Sequence, residues 1–105
     1  MKAEEMRAVA DDVSELLKVL ANPNRLMALC ELIQGETSVG ELARRLGVRD
    51  QAMSQQLSIL RANGLVETRR EGQTIYYAIA RDDVRLIIGA LYDVFCAKGR
   101  SRKTS

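Results

Sequence analysis

The stretch from Ser38 to Val66, SVGELARRLGVRDQAMSQQLSILRANGLV, limits what this chain can fold into more than any other part of it. Ser38 followed by Glu41 forms an S-x-x-E capping box, in which the serine oxygen takes an orphan backbone N–H and the glutamate reaches back to the serine N–H. A helix therefore starts near Val39. Its residues Val39, Leu42, Ala43 and Leu46 recur at i, i+3, i+4 and i+7 along one apolar face, and Gly47 ends it. After a turn of about four residues a second helix begins near Asp50. Here Met53, Leu57 and Leu60 share one face, while Gln51, Gln55, Ser58 and Ala62 project from the opposite face with Ser54 on its flank.

Two short helices across a tight turn, the second with a large apolar side and a small polar one, make a helix-turn-helix pattern. A face of Gln and Ser suits a major-groove reader, because amides and hydroxyls both donate to and accept from base edges. A solvated face on an ordinary helical hairpin would look the same, so the next segment decides. After the helix-ending pair Asn63-Gly64, the runs Val66 to Arg70 and Thr74 to Ala80 flank a Glu71-Gly72 turn and read as a β-hairpin. Its arms carry Arg69, Arg70 and Gln73 near the tip. A hairpin directly after a recognition helix is the winged arrangement, in which the wing meets the DNA backbone or minor groove.

Charge is divided in the same sense. Residues 1–42 carry 4 Lys/Arg against 8 Asp/Glu, and residues 43–105 carry 12 against 6, so a net −4 precedes a net +6. Positive potential thus begins at the helix-turn-helix, where it would steer association with phosphates. At 105 residues with 47% apolar content the chain fits one domain over 1–97, with no disulfide or metal needed for folding. No apolar run approaches the roughly 20 residues of a membrane span, and the amino terminus lacks the apolar core of a signal peptide. No membrane partner and a cytoplasmic location are therefore expected.

Flanking helices complete the reading. Met6, Val9, Val13, Leu16 and Leu20 alternate spacings of 3 and 4, a short a/d seam over Ala3 to Leu20 that suits dimerisation. Asn22-Pro23 then caps and starts a helix that runs to about Gln34 with the stripe Leu26, Leu29, Cys30 and Ile33, which places Cys30 in the interior. A last helix opens at Arg81 or Asp82 and reaches about Ala97 with the stripe Val84, Ile87, Ile88, Leu91 and Phe95. Cys96 lies near the Tyr92 edge of that stripe and is expected to be less buried than Cys30. Residues 98–105 form a basic tail expected to be disordered. The predicted fold is mainly α with a small β-hairpin, in the order α-α-α-α-β-β-α, dimerised through the first and last helices.

There is no histidine, no C-x-x-C and no glycine-rich phosphate loop, so the usual catalytic and cofactor arrangements are missing; neither an enzyme nor a cofactor is expected. Cys30 and Cys96 are the remaining chemistry. They are 66 positions apart, and spacing alone does not make them a pair.

The segments LANPNRLMALCEL, SVGELARRLG, MSQQLSILRANGLV and TRREGQTIYY resemble the ArsR/SmtB family of winged-helix repressors, over nearly the whole chain from Leu16 to Cys96. Metal-sensing members begin the helix matching Val39 to Leu46 with a Cys-Val-Cys box, whereas this chain has Ser38 and Gly40 there. Other members place His and Asp ligands on the last helix. Zinc, arsenic and cadmium sensing are therefore not expected, and no metal site is assigned. The resemblance is instead to the dithiol branch, which carries one cysteine in a context like ALCEL and another in a context like LYDVFC. Cys30 and Cys96 fall on those positions. This implies a homodimeric repressor of operator DNA that senses hydrogen sulfide, persulfides or polysulfides and releases DNA when a disulfide or polysulfide bridge forms within one protomer.

Gln51, Ser54, Gln55 and Ser58 are the candidate base readers, and Arg49, Arg69 and Arg70 are the candidate phosphate or minor-groove contacts, with Gln73 beside them at the hairpin tip. Two alternatives stay open on sequence: a winged-helix regulator that responds to peroxide, electrophiles or another ligand or relieves silencing, and an interaction module that does not bind DNA.

Overall fold

From its amino terminus the chain runs α1 (Ala3–Leu20), α2 (Pro23–Ile33), β1 (Thr37–Ser38), α3 (Val39–Leu46), α4 (Asp50–Ala62), β2 (Val66–Glu71), β3 (Thr74–Ile79) and α5 (Asp82–Phe95) in a computed structural model that describes residues 1–96. Ala97, where the last helix is expected to end, and the basic tail 98–105 lie outside the described residues. The expected order holds with one addition. Thr37 and Ser38 pair antiparallel with Tyr77 and Tyr76, so the hairpin becomes a three-stranded sheet of order β1-β3-β2.

Local chemistry accounts for most boundaries. The Asn22 side-chain oxygen accepts from the N–H groups of Asn24 and Arg25 at 3.0 and 3.1 Å, and Pro23 occupies the first helical position of α2. Ser38 Oγ accepts from the Glu41 N–H at 3.3 Å, which starts α3. The other half of the expected capping box is replaced: the Glu41 carboxylate is taken by the guanidinium groups of Arg44 and Arg45. The bonds to Arg44 and Arg45 carry charge on both partners, whereas a bond to the Ser38 backbone N–H would carry it on the carboxylate alone. Gly47 ends α3 at φ +68°, a left-handed conformation that disfavours side chains with a Cβ. The hairpin turn falls on Gly72-Gln73, one residue later than expected, because Glu71 still pairs with Thr74.

The core gathers beneath α4. Leu29, Leu32, Leu42, Met53, Leu57, Leu60, Leu65 and Val84 are fully buried, so α2, α3, α4 and α5 each anchor at least one side chain there. Leu16 and Leu20 of α1, Val66 of β2, Tyr77 and Ile79 of β3 and Ile88 of α5 pack around them. Burying each large aliphatic side chain is worth about 1.5–3 kcal/mol, which holds the reading helix rigidly on its apolar side. In α2 the buried residues are Ala28, Leu29 and Leu32. The stripe is thus rotated by roughly 100°, one residue's worth of helix, from the expected one. Cys30 therefore sits half-buried at its edge rather than in the interior.

The two terminal helices are apolar beyond what the protomer covers. Leu16 and Leu20 close on the core, but Met6 and Val9 of the same seam are 48% and 45% exposed. On α5, Val84 and Ile88 are buried while Leu91 and Phe95 are 37% and 59% exposed. Among the described residues no helix is long and apolar enough to cross a membrane.

Candidate nucleic-acid interface and thiol pair

Helix α4 turns Met53, Leu57 and Leu60 into the core, and this leaves Gln51, Ser54, Gln55 and Ser58 all exposed on the opposite face. Arg49 is exposed at the residue before the helix, and with Gln51, Ala52 and Gln55 it lines a shallow depression at the amino end of α4. Cationic and amide groups thus meet where the helix dipole is positive, an arrangement whose chemistry suits an anion at the helix end and hydrogen-bonding partners along its side. Gln56, one position further, points elsewhere. Its Oε1 accepts from Arg25 Nη1 at 2.9 Å, and Arg25 Nε also donates to the Val19 carbonyl at 2.7 Å.

The wing separates its two arginines. Arg70 and Gln73 are exposed near the tip. Arg69 is also exposed but is already engaged. Its guanidinium lies 5.0 Å from the ring centre of Tyr76, donates to Glu36 beyond β3, and pairs with Glu71 at 2.9 Å on its own strand. These contacts hold Glu36 below the usual carboxylate range. Arg69 is thereby an internal brace of the sheet, with its charge compensated by two acids. Sequence reading missed Glu36 because β1, which brings it alongside the wing, has only two residues and no periodicity. Arg25 and Gln56 were missed for a similar reason: 31 positions separate them and neither departs from its local pattern.

The thiols occupy the two helices assigned to them, and α2 and α5 are in contact. Cys30 is half-buried, and Cys96 is exposed at the carboxyl cap of α5, where its N–H donates to the Tyr92 carbonyl at 2.8 Å. Burial pushes the Cys30 thiol above its ordinary value, and negative charge on Cys96 and Glu31 pushes it the same way. A thiol kept neutral by burial, on a helix packed against the one that ends at an accessible thiol, can serve as the second nucleophile of a bridging reaction once it ionises. No group of three or more Cys, Asp or Glu side chains among the described residues is placed to hold a metal ion.

The family model for bacterial regulatory proteins of the arsR family matches residues 22–68, which span α2 through the first half of β2. The chain is similar to the biofilm growth-associated repressor of Agrobacterium fabrum, with 51% identity over 92 residues that make up 88% of this chain and 79% of that protein. Among solved structures, the transcriptional repressor BigR from Xylella fastidiosa superimposes with a TM-score of 0.88 at 44% identity, covering 93% of this chain and all of that one. Reduced HlyU from Vibrio cholerae gives 0.82 at 42% identity, covering 89% and 98%. A homodimeric winged helix-turn-helix DNA-binding domain from Mycobacterium bovis gives 0.75 at 38% identity, covering 89% and 86%.

Proposed function

The chain belongs to the arsR family of bacterial regulatory proteins, a family of DNA-binding transcriptional regulators rather than enzymes, and from that premise we propose a homodimeric repressor whose Cys30 and Cys96 switch it off DNA in response to reactive sulfur. The observation that carries the proposal is that the two free thiols sit on α2 and at the carboxyl cap of α5, two helices that are in contact. Dimerisation is supported by the exposed apolar residues Met6, Val9, Leu91 and Phe95 on the terminal helices and by the homodimeric relative. Two protomers present two recognition helices, as half-site reading requires.

The chemistry proceeds by sulfur transfer. The Cys96 thiolate attacks the outer sulfur of an organic persulfide, forms Cys96–S–SH and expels the organic thiolate. The Cys30 thiolate then attacks the Cys96 Sγ, closes a Cys30–Cys96 disulfide and expels hydrosulfide. When Cys30 is persulfidated as well, its terminal sulfur attacks in the same way, and a trisulfide forms with loss of one hydrosulfide. A direct disulfide requires Cα atoms about 4.4–6.8 Å apart, so the width of the helix pair sets which bridge closes. The bridge acts on DNA only if it fits the binding and non-binding dimers differently, and a difference of about 1–3 kcal/mol changes affinity roughly 5- to 150-fold.

The test is DNA affinity of the reduced protein before and after an organic persulfide, with intact-mass analysis and Cys96→Ser alongside. Release that accompanies a bridged mass, both lost in Cys96→Ser, is expected. Binding that persists despite a fully bridged mass would sink the switch. Peroxide in a parallel arm should oxidise without adding sulfur; release by peroxide alone would point to a general oxidant sensor.

A further inference from the structure

Arg25 joins three helices through one side chain. Its backbone N–H is capped by Asn22 at the start of α2, its Nε donates to the Val19 carbonyl in the last turn of α1, and its Nη1 donates to Gln56 of the recognition helix. Val19 is one of the carbonyls that a helix end leaves without an intrahelical partner, and a cation there also suits the negative end of the α1 dipole. Gln56 lies about 100° around α4 from Gln55, so it is off the face that carries Gln51, Gln55 and Ser58. Cys30 stands five positions after Arg25 on the same helix. The guanidinium is a rigid planar fork, so its two bonds hold the end of α1 and the middle of α4 in a set relation.

We propose that Arg25 is a positioning residue that sets the pose of the recognition helix against the dimer helix α1, and that its fork transmits the state of the thiol pair from α2 to α4. The second half rests on the thiol switch proposed above. A bridge between α2 and α5 shifts α2. Because Arg25 is carried on α2 and grips both α1 and α4, that shift reaches the reading face without any contact between the thiols and DNA. Lysine keeps the charge but cannot make both bonds in one plane, and methionine at position 56 keeps the shape of the glutamine but removes the acceptor.

The experiment compares the full chain with Arg25→Lys, Gln56→Met and the double variant, each reduced and each bridged by an organic persulfide. The probes are a duplex selected from a random pool by the reduced wild-type protein and a scrambled duplex of the same length. Each single variant should lose about tenfold in affinity for the selected duplex, the scale of one charge-assisted hydrogen bond, and less than about twofold for the scrambled one. The double should be no weaker than the weaker single. The ratio of reduced to bridged affinity should shrink in all three. Equal losses on both duplexes, additive losses in the double, or a ratio identical to wild type would overturn the proposal. Thermal melting accompanies each variant, and Gln56→Met carries the test if Arg25→Lys does not fold. A wild-type protein that is bridged without a change in affinity defeats the thiol switch instead, and the comparison of selected with scrambled DNA still decides the positioning role.

Discussion

Arg69 on the wing grips Glu36 from the far side of Tyr76. The guanidinium crosses β3 over the tyrosine ring, with Nε 3.1 Å from a Glu36 carboxylate oxygen, while Glu71 takes another of its nitrogens. The pairing removes the net charge that a phosphate would meet at Arg69, whereas Arg70 next to it is exposed. Adjacent arginines of one strand thus have different work. In titrations of DNA affinity against salt, Arg70→Ala should weaken all sequences alike and lower the slope by about 1, the loss of one phosphate contact. Arg69→Ala should leave the slope nearly unchanged, and Glu36→Gln should raise it by removing one of the two negative charges that compensate Arg69. Equal slope losses for Arg69→Ala and Arg70→Ala would refute the division.

The acid limb of stability should contain a component from Glu41. Hydrogen bonds from Arg44 and then Arg45 lower its carboxyl to about 2. A carboxyl depressed by folding adds stability above its unfolded value of about 4.3, and this is lost as pH falls toward 2. Glu41→Gln should therefore melt at a lower temperature than wild type at neutral pH, with the gap closing below about pH 4 as wild-type Glu41 takes up its proton. Because the group is on the surface, added salt should also narrow the gap. A gap that stays constant from neutral pH to about pH 2 would mean that the substitution acts through packing or helix propensity.

What was legible in the sequence were signals that act within a few residues. Asn22-Pro23 and Ser38 mark helix starts, Gly47 marks a stop, and the spacing of Met53, Leu57 and Leu60 gives the orientation of α4, hence the exposed set Gln51, Ser54, Gln55 and Ser58. The phase of α2 was not legible, because Leu26, Met27, Ala28, Leu29, Cys30, Leu32 and Ile33 are apolar over more than half the helix circumference. Only its tertiary neighbours choose Ala28, Leu29 and Leu32 as the buried set, and Cys30 moves to the edge as a result. Strand β1 was illegible for a related reason: a two-residue strand exists through its pairing with Tyr76 and Tyr77 and has no pattern of its own. The braces Arg25–Gln56 and Arg69–Glu36 follow from those long-range placements.

The exposed ends of α1 and α5 give a prediction about assembly. Phe95 is 59% exposed and Leu91 37% exposed in the protomer, on the same helix whose Val84 and Ile88 are fully or nearly fully buried. Burying a large apolar side chain is worth about 1.5–3 kcal/mol, and a two-fold interface counts it twice. Phe95→Asp should raise the dimer dissociation constant by at least about 100-fold in sedimentation equilibrium, since placing a charge there also costs desolvation. Arg85→Ala, on the exposed side of α5, should leave it unchanged. DNA binding by Phe95→Asp should fall with the dimer population. A Phe95→Asp protein as dimeric as wild type would place the interface elsewhere.

The thiols should react in a fixed order. Cys96 is exposed and Cys30 is half-buried, and burial is the largest cause of the raised Cys30 thiol pKa. Sulfur transfer needs a thiolate that the reagent can reach, so limiting organic persulfide should place the first added sulfur on Cys96, read by peptide mass spectrometry after alkylation. Cys30 first, or both equally, would reverse the order. The closing step then needs Cys30 to ionise, and in Cys96→Ser the alkylation rate of Cys30 should continue to rise with pH past the ordinary thiol value of about 8.5. In Cys30→Ser, Cys96 should still take up sulfur and stop at the persulfide, with no bridged mass and with DNA still bound. This variant separates modification from bridging: DNA release by an unbridged Cys96 persulfide would mean that added sulfur alone is the signal, and the helix-to-helix tether would have no part in it.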